Sequence, residues 1–456
     1  MTKKAIISVV FSLLFLSFNE SVFSNVHSPS YYSVEYSDYS SLKSDLQKHK
    51  IKISYHVPEV KVVQIIIDSD DQLTNLNKNS NSIIHIGPTC STCSQQRSIN
   101  KNNTTTTNDK NLFDLQWDMK KITHDGKSYS LIPTQKNAKV AIIDTGVNVN
   151  HPDLKSINKI RNEVPKHGYR GNEKKEQGKL TTSTDKLNHG TLVAGQIGAN
   201  GNLKGINPGV EMNSYRVFGE SKSEIIWIAK AIVDAANDDN DIINLSLGSY
   251  LVLDSNNSSQ KRYDEKVDYD ALQKAINYAN NKGSIVVVAA GNNGIDVKNE
   301  DKIRKTRNLT KYSTKKVVDI PASLKNVLTI GSIDSRGIRS EFSNFGEGFI
   351  DLVTIGGSYR LLDKFGEDAW LNHGIMQKES ILTTSNNGRY IYQSGTSLAA
   401  PKVSGALSTL IDKHQLKDKP KETLKLLKRK GIVEEDRYMV SREYGLGKLD
   451  AYKLLK

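Results

Sequence analysis

The 456-residue chain predicts an α/β fold, a parallel sheet with helices on both faces, preceded by a small α+β unit. Three observations carry this. From about residue 112 onward, continuous Val- and Ile-rich runs alternate with helical patterns, which marks strands buried on both faces. The stretch 94–111, SQQRSINKNNTTTTNDKN, has almost no apolar residue and reads as an exposed, flexible linker between two folded parts. Ahead of it, short strand-like pieces stand beside a helical one.

Taken in order, Lys3 and Lys4 precede an apolar run over 5–18 and then small polar residues. This is the pattern of a secretory signal peptide, 1–24, removed near Ser24. The run is too short to span a bilayer comfortably, and no later stretch is long and apolar enough for a membrane helix. The chain is therefore expected outside the cell, without a membrane span once the signal is removed. Residues 25–97 form the small unit, with strands in KIKISYHV (50–57) and VKVVQIIID (60–68) and a helix over 41–48. A linker follows over 98–112, then a body over 113–456. A signal, a small unit and a nickable linker ahead of a larger body is the layout of a secreted zymogen.

Within the body, strands are expected at 139–144, 210–218, 241–248, 284–292 and 327–334. Helices are expected at 189–199, 223–237, 268–283 and 397–413. The two cysteines, Cys90 and Cys93, support neither a disulfide framework nor a four-ligand zinc site. An excess of 63 Lys and Arg over 50 Asp and Glu gives +13, but it is scattered. This is a solvated basic surface, suited to anionic cell-surface polymers as neighbours; no zinc-finger or RNA-binding motif points to nucleic acid.

The chemistry gathers at element ends, where an open parallel sheet binds ligands. Asp144-Thr145-Gly146 is the tripeptide of aspartic proteases, yet that chemistry needs a second active-site aspartate and an all-β body. This chain instead offers His189 at the start of NHGTLVAG and Ser397 in QSGTSLAAPKVSG. A serine hydroxyl needs a base within hydrogen-bond reach, and the base needs a carboxylate to fix its tautomer. Gly395 lets the backbone approach substrate closely, and a helix starting at Ser397 offers free N–H groups to an oxyanion. Ala399 and Ala400 allow close packing, and Pro401 is expected in the first turn.

With the order Asp, His, Ser and the contexts DTGVNVNHPDL, NHGTLVAG and SGTSLAAPKVSGA, the region from about 117 to 456 resembles the subtilisin-like serine peptidases. The resemblance implies Asp144 as orienting carboxylate, His189 as base then acid, and Ser397 as nucleophile. In VVVAAGNNG it implies Asn292 as oxyanion donor. In NLSLGS it implies a substrate-pairing edge, with Ser246, Leu247 and Gly248 flanking the pocket for the residue before the cut. Asp153, in HPDL, matches a calcium position of some relatives, although the partner loop over 199–209 is short. No cofactor is needed for the chemistry; a structural calcium is the one ion implied. The small unit becomes a propeptide, acting as intramolecular chaperone and inhibitor.

WDMKKIT at 117–123, the polar linker and the ending YGLGKLDAYKLLK are most similar to the lantibiotic leader peptidases of the epidermin type. That similarity implies removal of a leader from a lantibiotic precursor, commonly after arginine. The chain ends at Lys456 without a wall-sorting tail, so release from the cell, or retention at its surface by charge alone, is expected. Asp296, Glu300 or Asp301 could supply a carboxylate for a basic residue, and Arg97-Ser98 in the linker is a candidate self-cleavage site. A broad degradative subtilase is the competing enzyme, and an inactive subtilase-like binding protein the competitor from another class.

Overall fold

The structure, a computed structural model, describes residues 30–93, 104–105, 111–253, 265–306, 316–433 and 441–456. The signal peptide and the Arg97-Ser98 site lie outside the described residues.

The amino-terminal unit runs strand Ser30–Tyr36, helix Tyr39–Lys48, strands Lys52–Val57 and Val62–Ile67, helix Asp70–Asn79 and strand Ile83–Pro88. In antiparallel pairing, Ser30–Tyr36 lies between Val62–Ile67 and Ile83–Pro88, and Lys52–Val57 forms the far edge. Each helix begins with a side-chain cap, Asp38 accepting from the Ser41 N–H and Ser69 from that of Gln72. Leu42, Leu46 and Leu76 of these helices join Val34, Val63, Ile65 and Ile67 of the sheet in a core of their own.

The body is built on a nine-stranded sheet. Strand Lys139–Asp144 is flanked on one side by Glu211–Arg216 and Ile157–Asn162. On the other side follow Ile242–Leu245, Ile285–Ala289, Val327–Ile333 and Leu352–Ile355, all parallel. Two short strands, Lys448–Leu449 and Ile432–Val433, close that edge. The central strands are buried along almost their whole length, as continuous apolar runs require. Helices His189–Gly198 and Thr396–His414 pack together on the sheet, and Ile225–Asn237 pairs with Lys266–Asn281 on its other face. Among the described residues, no helix is long and apolar enough to cross a membrane.

The open face of the amino-terminal sheet lies on this second helix pair, where Val57, Val60 and Val62 merge into the body's core. From Ile83–Pro88 the chain enters a short strand, Ser91–Cys93, paired antiparallel with Lys222–Glu224. Description resumes at Thr104–Thr105, paired with Tyr390–Gln393.

The expected strands and helices of the body are present with ends shifted by a few residues. The helix expected from 223 begins at Ile225 because Lys222–Glu224 is drawn into pairing with Ser91–Cys93. The helix carrying Ser397 starts at Thr396, so Pro401 is its sixth residue rather than a first-turn one.

Candidate active site

Asp144 ends strand Lys139–Asp144, and the chain then turns sharply at Gly146, whose φ of +100° is open to glycine but strained for other residues. Gly190, after His189, faces this turn so closely that an added Cβ would lie 2.0 Å from the Gly146 carbonyl oxygen. Glycine at both positions lets strand end and helix start meet. His189 Nδ1 is 2.8 and 3.0 Å from the two Asp144 oxygens, with both groups buried. The Thr145 N–H donates to Asp144 Oδ1 at 2.7 Å.

A second carboxylate supports this pair. Asp185 accepts from Thr145 Oγ1 (2.7 Å), Thr191 Oγ1 (2.6 Å) and the Thr191 N–H (2.9 Å), while Thr145 Oγ1 accepts from the Gly190 N–H (2.8 Å). It therefore fixes the turn after Asp144 and the first turn of the His189 helix together. Burial pulls the His189 imidazole down, but the Asp144 charge, its hydrogen bond and the Asp185 charge outweigh burial and raise its pKa above the ordinary value. Burial raises Asp185 itself. No motif in the sequence marked this residue; only the fold brings it beside Asp144.

Ser397 lies across the cleft from His189, both lining the same two cavities. Its Oγ donates to the Ser246 carbonyl at 3.3 Å rather than to the imidazole; such hydrogen bonds often align only when substrate is bound. Pro401 has a structural role here. Lacking an N–H, it leaves the Ser397 carbonyl, its partner in a regular helix, free to accept from Ser246 Oγ at 3.1 Å. Ser246 Oγ in turn accepts from Asn244 Nδ2 (3.0 Å), and Asn244 Oδ1 from Ser404 Oγ (2.9 Å). This relay ties the serine to the strand edge expected to hold substrate.

Asn292 Oδ1 accepts from the Thr396 N–H and Oγ1, both at 2.9 Å, which leaves its Nδ2 donors pointing away from that contact. A Cβ added to Gly395 would lie 3.5 Å from Asn292 Nδ2 and 3.7 Å from the Ser397 nitrogen, so both donors border the space that Gly395 keeps open. An oxyanion there would meet an amide and a helix-start N–H.

The two cavities flank Ser397. The first is narrow, about 40 Å³, and is bordered by Ser246, Leu247 and Gly248. On its wall is Asp319, from strand Lys316–Ile320, which sequence reasoning missed. Asp319 is buried and accepts from Asn344 Nδ2 at 3.1 Å. Burial without a cationic partner raises its pKa far above the usual carboxylate range. Gly248 and Gly291 face it without side chains, keeping it reachable.

Asp296 does not occupy this position. It pairs with Phe345 through backbone, accepts from the Lys298 N–H at 3.0 Å and sits 3.7 Å from Arg442, outside the cavity wall. Glu300 and Asp301 are held by Arg304 at 2.6 and 2.8 Å. The loop proposed to carry the pocket's charge thus neutralises its own. Asp319 escaped notice because the stretch over 294–322 reads as one long charged loop, and pairing with Ser249–Leu253 alone turns it toward the cleft.

Asp153 binds the short loop over 199–204 directly. Its two carboxylate oxygens accept the Asn202 N–H (3.0 Å) and Leu203 N–H (2.8 Å), and its carbonyl the Asn200 N–H (2.8 Å). Donors face the oxygens where a calcium ion would need more oxygens, so these residues do not fit the ion. One other group has ligand-like spacing among the described residues, Glu35, His85 and Asp270 at the contact between the two units. Lys274 bonds Glu35 and Lys266 bonds Asp270, an ion-pair network without need of a metal.

The family model described as "Subtilase family" matches residues 135–447. The epidermin leader peptide-processing serine protease of Staphylococcus epidermidis is 59% identical over 457 residues, covering 99% of this chain and 98% of its own. The nisin leader peptide-processing serine protease of Lactococcus lactis is 42% identical over 317 residues, 68% of this chain and 46% of that protein. The crystal structure of the Staphylococcus aureus epidermin leader peptide-processing protease superimposes with a TM-score of 0.86 at 47% identity, covering 94% of this chain and 98% of the other.

Proposed function

The chain is a serine peptidase of the subtilase family, and on that premise we propose that it is secreted and removes the leader from a lantibiotic precursor by cutting after a basic residue. The observation that carries this reading is Asp319, a buried carboxylate on the wall of the cavity beside Ser397. An entering guanidinium would supply the missing positive charge and hold Asp319 ionised in a bidentate pair. The two leader-processing relatives point to the same class of substrate.

Each residue then has a role. As substrate pairs along Ser246–Gly248, His189 Nε2 takes the proton from Ser397 Oγ, which attacks the carbonyl carbon. Asp144, fixed on Nδ1, stabilises the imidazolium, and the oxyanion is held by Asn292 Nδ2 and the Ser397 N–H. His189 returns the proton to the leaving amine, giving an acyl-enzyme that water cleaves by the reverse path.

The amino-terminal unit is then a propeptide. Its tail, Ser91–Cys93, pairs beside the cleft, and Thr92 Oγ1 donates to the Gly248 carbonyl at 2.6 Å. The described chain leaves Cys93 on the Asp319 side of Ser397 and resumes at Thr104 beside Tyr390–Gln393, which leads to the other cavity. That direction makes the Asp319 side the one before the cut and supports opening of the chain after Arg97.

A cleavage profile on a diverse peptide library, with Ser397→Ala as blank, tests the reading. Strong selection for arginine before the cut, and cleavage of leader peptides over unfolded casein, is expected. Broad cleavage after large apolar residues would leave a degradative subtilase instead. Amino-terminal sequencing that finds Ser98 first is expected of the processed chain; a new terminus only elsewhere would remove the Arg97 assignment.

A further inference from the structure

The positive charge is dispersed along most of the chain, with one exception near its end. From Lys413 to Lys430, eight Lys and Arg stand against two carboxylates, Asp418 and Glu422, so this stretch carries +6 of the chain's +13. It comprises the end of helix Thr396–His414, a turn, and helix Pro420–Lys430. The second helix buries Thr423 and Leu427 and packs on helices Thr396–His414 and Ala451–Leu455. Lys421, Lys425 and Lys428 recur one turn apart, about 5.4 Å along the axis, and with Arg429 form an exposed basic stripe.

The protein itself does not neutralise this stripe. Lys417, in the turn, pairs with Asp239 at 2.9 Å, and Lys413 donates to the Leu455 carbonyl. Among the described residues, by contrast, no carboxylate lies within ion-pair distance of Lys421, Lys425, Lys428 or Arg429. Beside them, His414 Nε2 is enclosed without a hydrogen-bond partner. Burial, then the charges of Lys430, Lys413 and Arg429, lower the pKa of His414, as like charges crowded without a counterion do.

A row of this kind fits a partner that is itself a row of negative charges. Lysine predominates, and lysine meets phosphate as a point charge without the fixed geometry of an arginine fork. The stretch has no aromatic residue on which a base could stack, and its leucines are buried or half-buried rather than free to enter a lipid layer. Its position is equally specific. At about 1.5 Å per residue, the helix from Ser397 to His414 sets the stripe roughly 25 Å from the nucleophile. Lys417 lies 3.7 Å from Asp241, just ahead of strand Ile242–Leu245, and Lys428 is near enough to Asp351, just ahead of Leu352–Ile355, for their charges to interact. The stripe thus follows the amino ends of the strands, while the cleft opens at their carboxyl ends.

We propose that this stripe is a docking surface for a linear phosphodiester polymer of the cell surface, which holds the enzyme on the side opposite its cleft. From the reading above it takes only that the chain acts outside the cell, and binding by purified protein is read separately from secretion.

The experiment measures binding of the purified full chain to immobilised poly(glycerol phosphate) and to vesicles of phosphatidylglycerol. Binding to the polymer is expected, weakening at least about tenfold between about 50 and 200 mM salt as several counterions are released. Lys421→Gln, Lys425→Gln, Lys428→Gln and Arg429→Gln together are expected to weaken it at least about tenfold and to flatten its salt dependence. The same change at Lys155, Lys166, Lys174 and Lys175, exposed around strand Ile157–Asn162 at the opposite edge of the sheet, is expected to leave binding near that of the wild type. Both variants should keep the wild-type Tm, and polymer-bound enzyme should cleave a short peptide of zero net charge as fast as free enzyme. Equal loss in the two variants would reduce the effect to net charge and overturn the proposal. Binding to the vesicles but not to the polymer would overturn it in favour of a lipid surface. Slower cleavage by the bound enzyme would overturn the placement of the polymer on the side away from the cleft.

Discussion

In the proposed mechanism Asn292, Asp319 and His189 each act through a charge or dipole set in place before substrate arrives. Asn292→Ala removes one of two oxyanion donors; kcat is expected to fall about 10²- to 10³-fold, the magnitude known for the corresponding asparagine of subtilisin, with KM little changed. Asp319→Asn keeps the shape of the pocket but removes the charge. Cleavage after arginine is expected to fall at least about tenfold in kcat/KM, since every 1.4 kcal/mol of lost binding is a factor of ten, while cleavage after leucine holds or rises. His189 must be neutral to accept the serine proton. Because its pKa lies above the ordinary imidazole value, kcat/KM falls as pH drops through that raised value. Asp185→Asn removes one of the raising charges, so the acid limb should move to lower pH; a pH profile unchanged in position would contradict that role.

At the scale of the element, the helix Thr396–His414 carries the proposed nucleophile and also anchors the body. Lys402, one turn beyond Leu398, is fully buried against Asp118 of helix Trp117–Thr123 at 3.0 Å, and its Nζ also donates to the Leu398 carbonyl at 3.1 Å. This pair joins the start of the body to the helix that carries Ser397. Lys402→Met alone leaves a buried, unpaired carboxylate and is expected to destabilise by about 3–5 kcal/mol, whereas Asp118→Leu with Lys402→Met should recover most of the loss. Denaturant unfolding of the two variants distinguishes them. The helix itself was legible from its spacing and small residues; its partner was not, because WDMKKIT shows a short polar helix with no sign of where Asp118 would point. The single-turn helices after Tyr359 were also missed, being too short to repeat an apolar period.

At the scale of the whole molecule, the two units meet over buried carboxylates. Asp268 accepts Ser33 Oγ and the Cys90 N–H, each at 2.5 Å, and Glu224 accepts Gln64 Nε2 at 2.6 Å. Burial is the largest influence on both, raising Asp268 to about 6 and Glu224 to about 7. The associated state therefore binds protons that separated units, with ordinary carboxylates, would release. This contribution to association is fully present below the ordinary carboxylate range and is lost as pH rises through about 6 to 7. In protein already cut in the linker, the fraction of amino-terminal unit retained on the body should fall between pH 5 and 8. Asp268→Asn with Glu224→Gln should flatten the dependence; a retained fraction that is equally steep in that variant would count against it.

The chain's local sequence was sufficient to determine the alternation of buried strands and helices and the three motifs that carry Asp144, His189 and Ser397. These are short-range properties: apolar period, turn chemistry and glycine where backbones meet. The tertiary structure alone decided the rest. It placed Asp319 rather than Asp296 beside Ser397, set Asp185 behind Asp144, and turned Asp153 into a loop staple instead of a calcium ligand. The physical reason is common to all three: a carboxylate's role depends on which donors and charges surround it, and those come from elements distant in the chain, brought together only by packing.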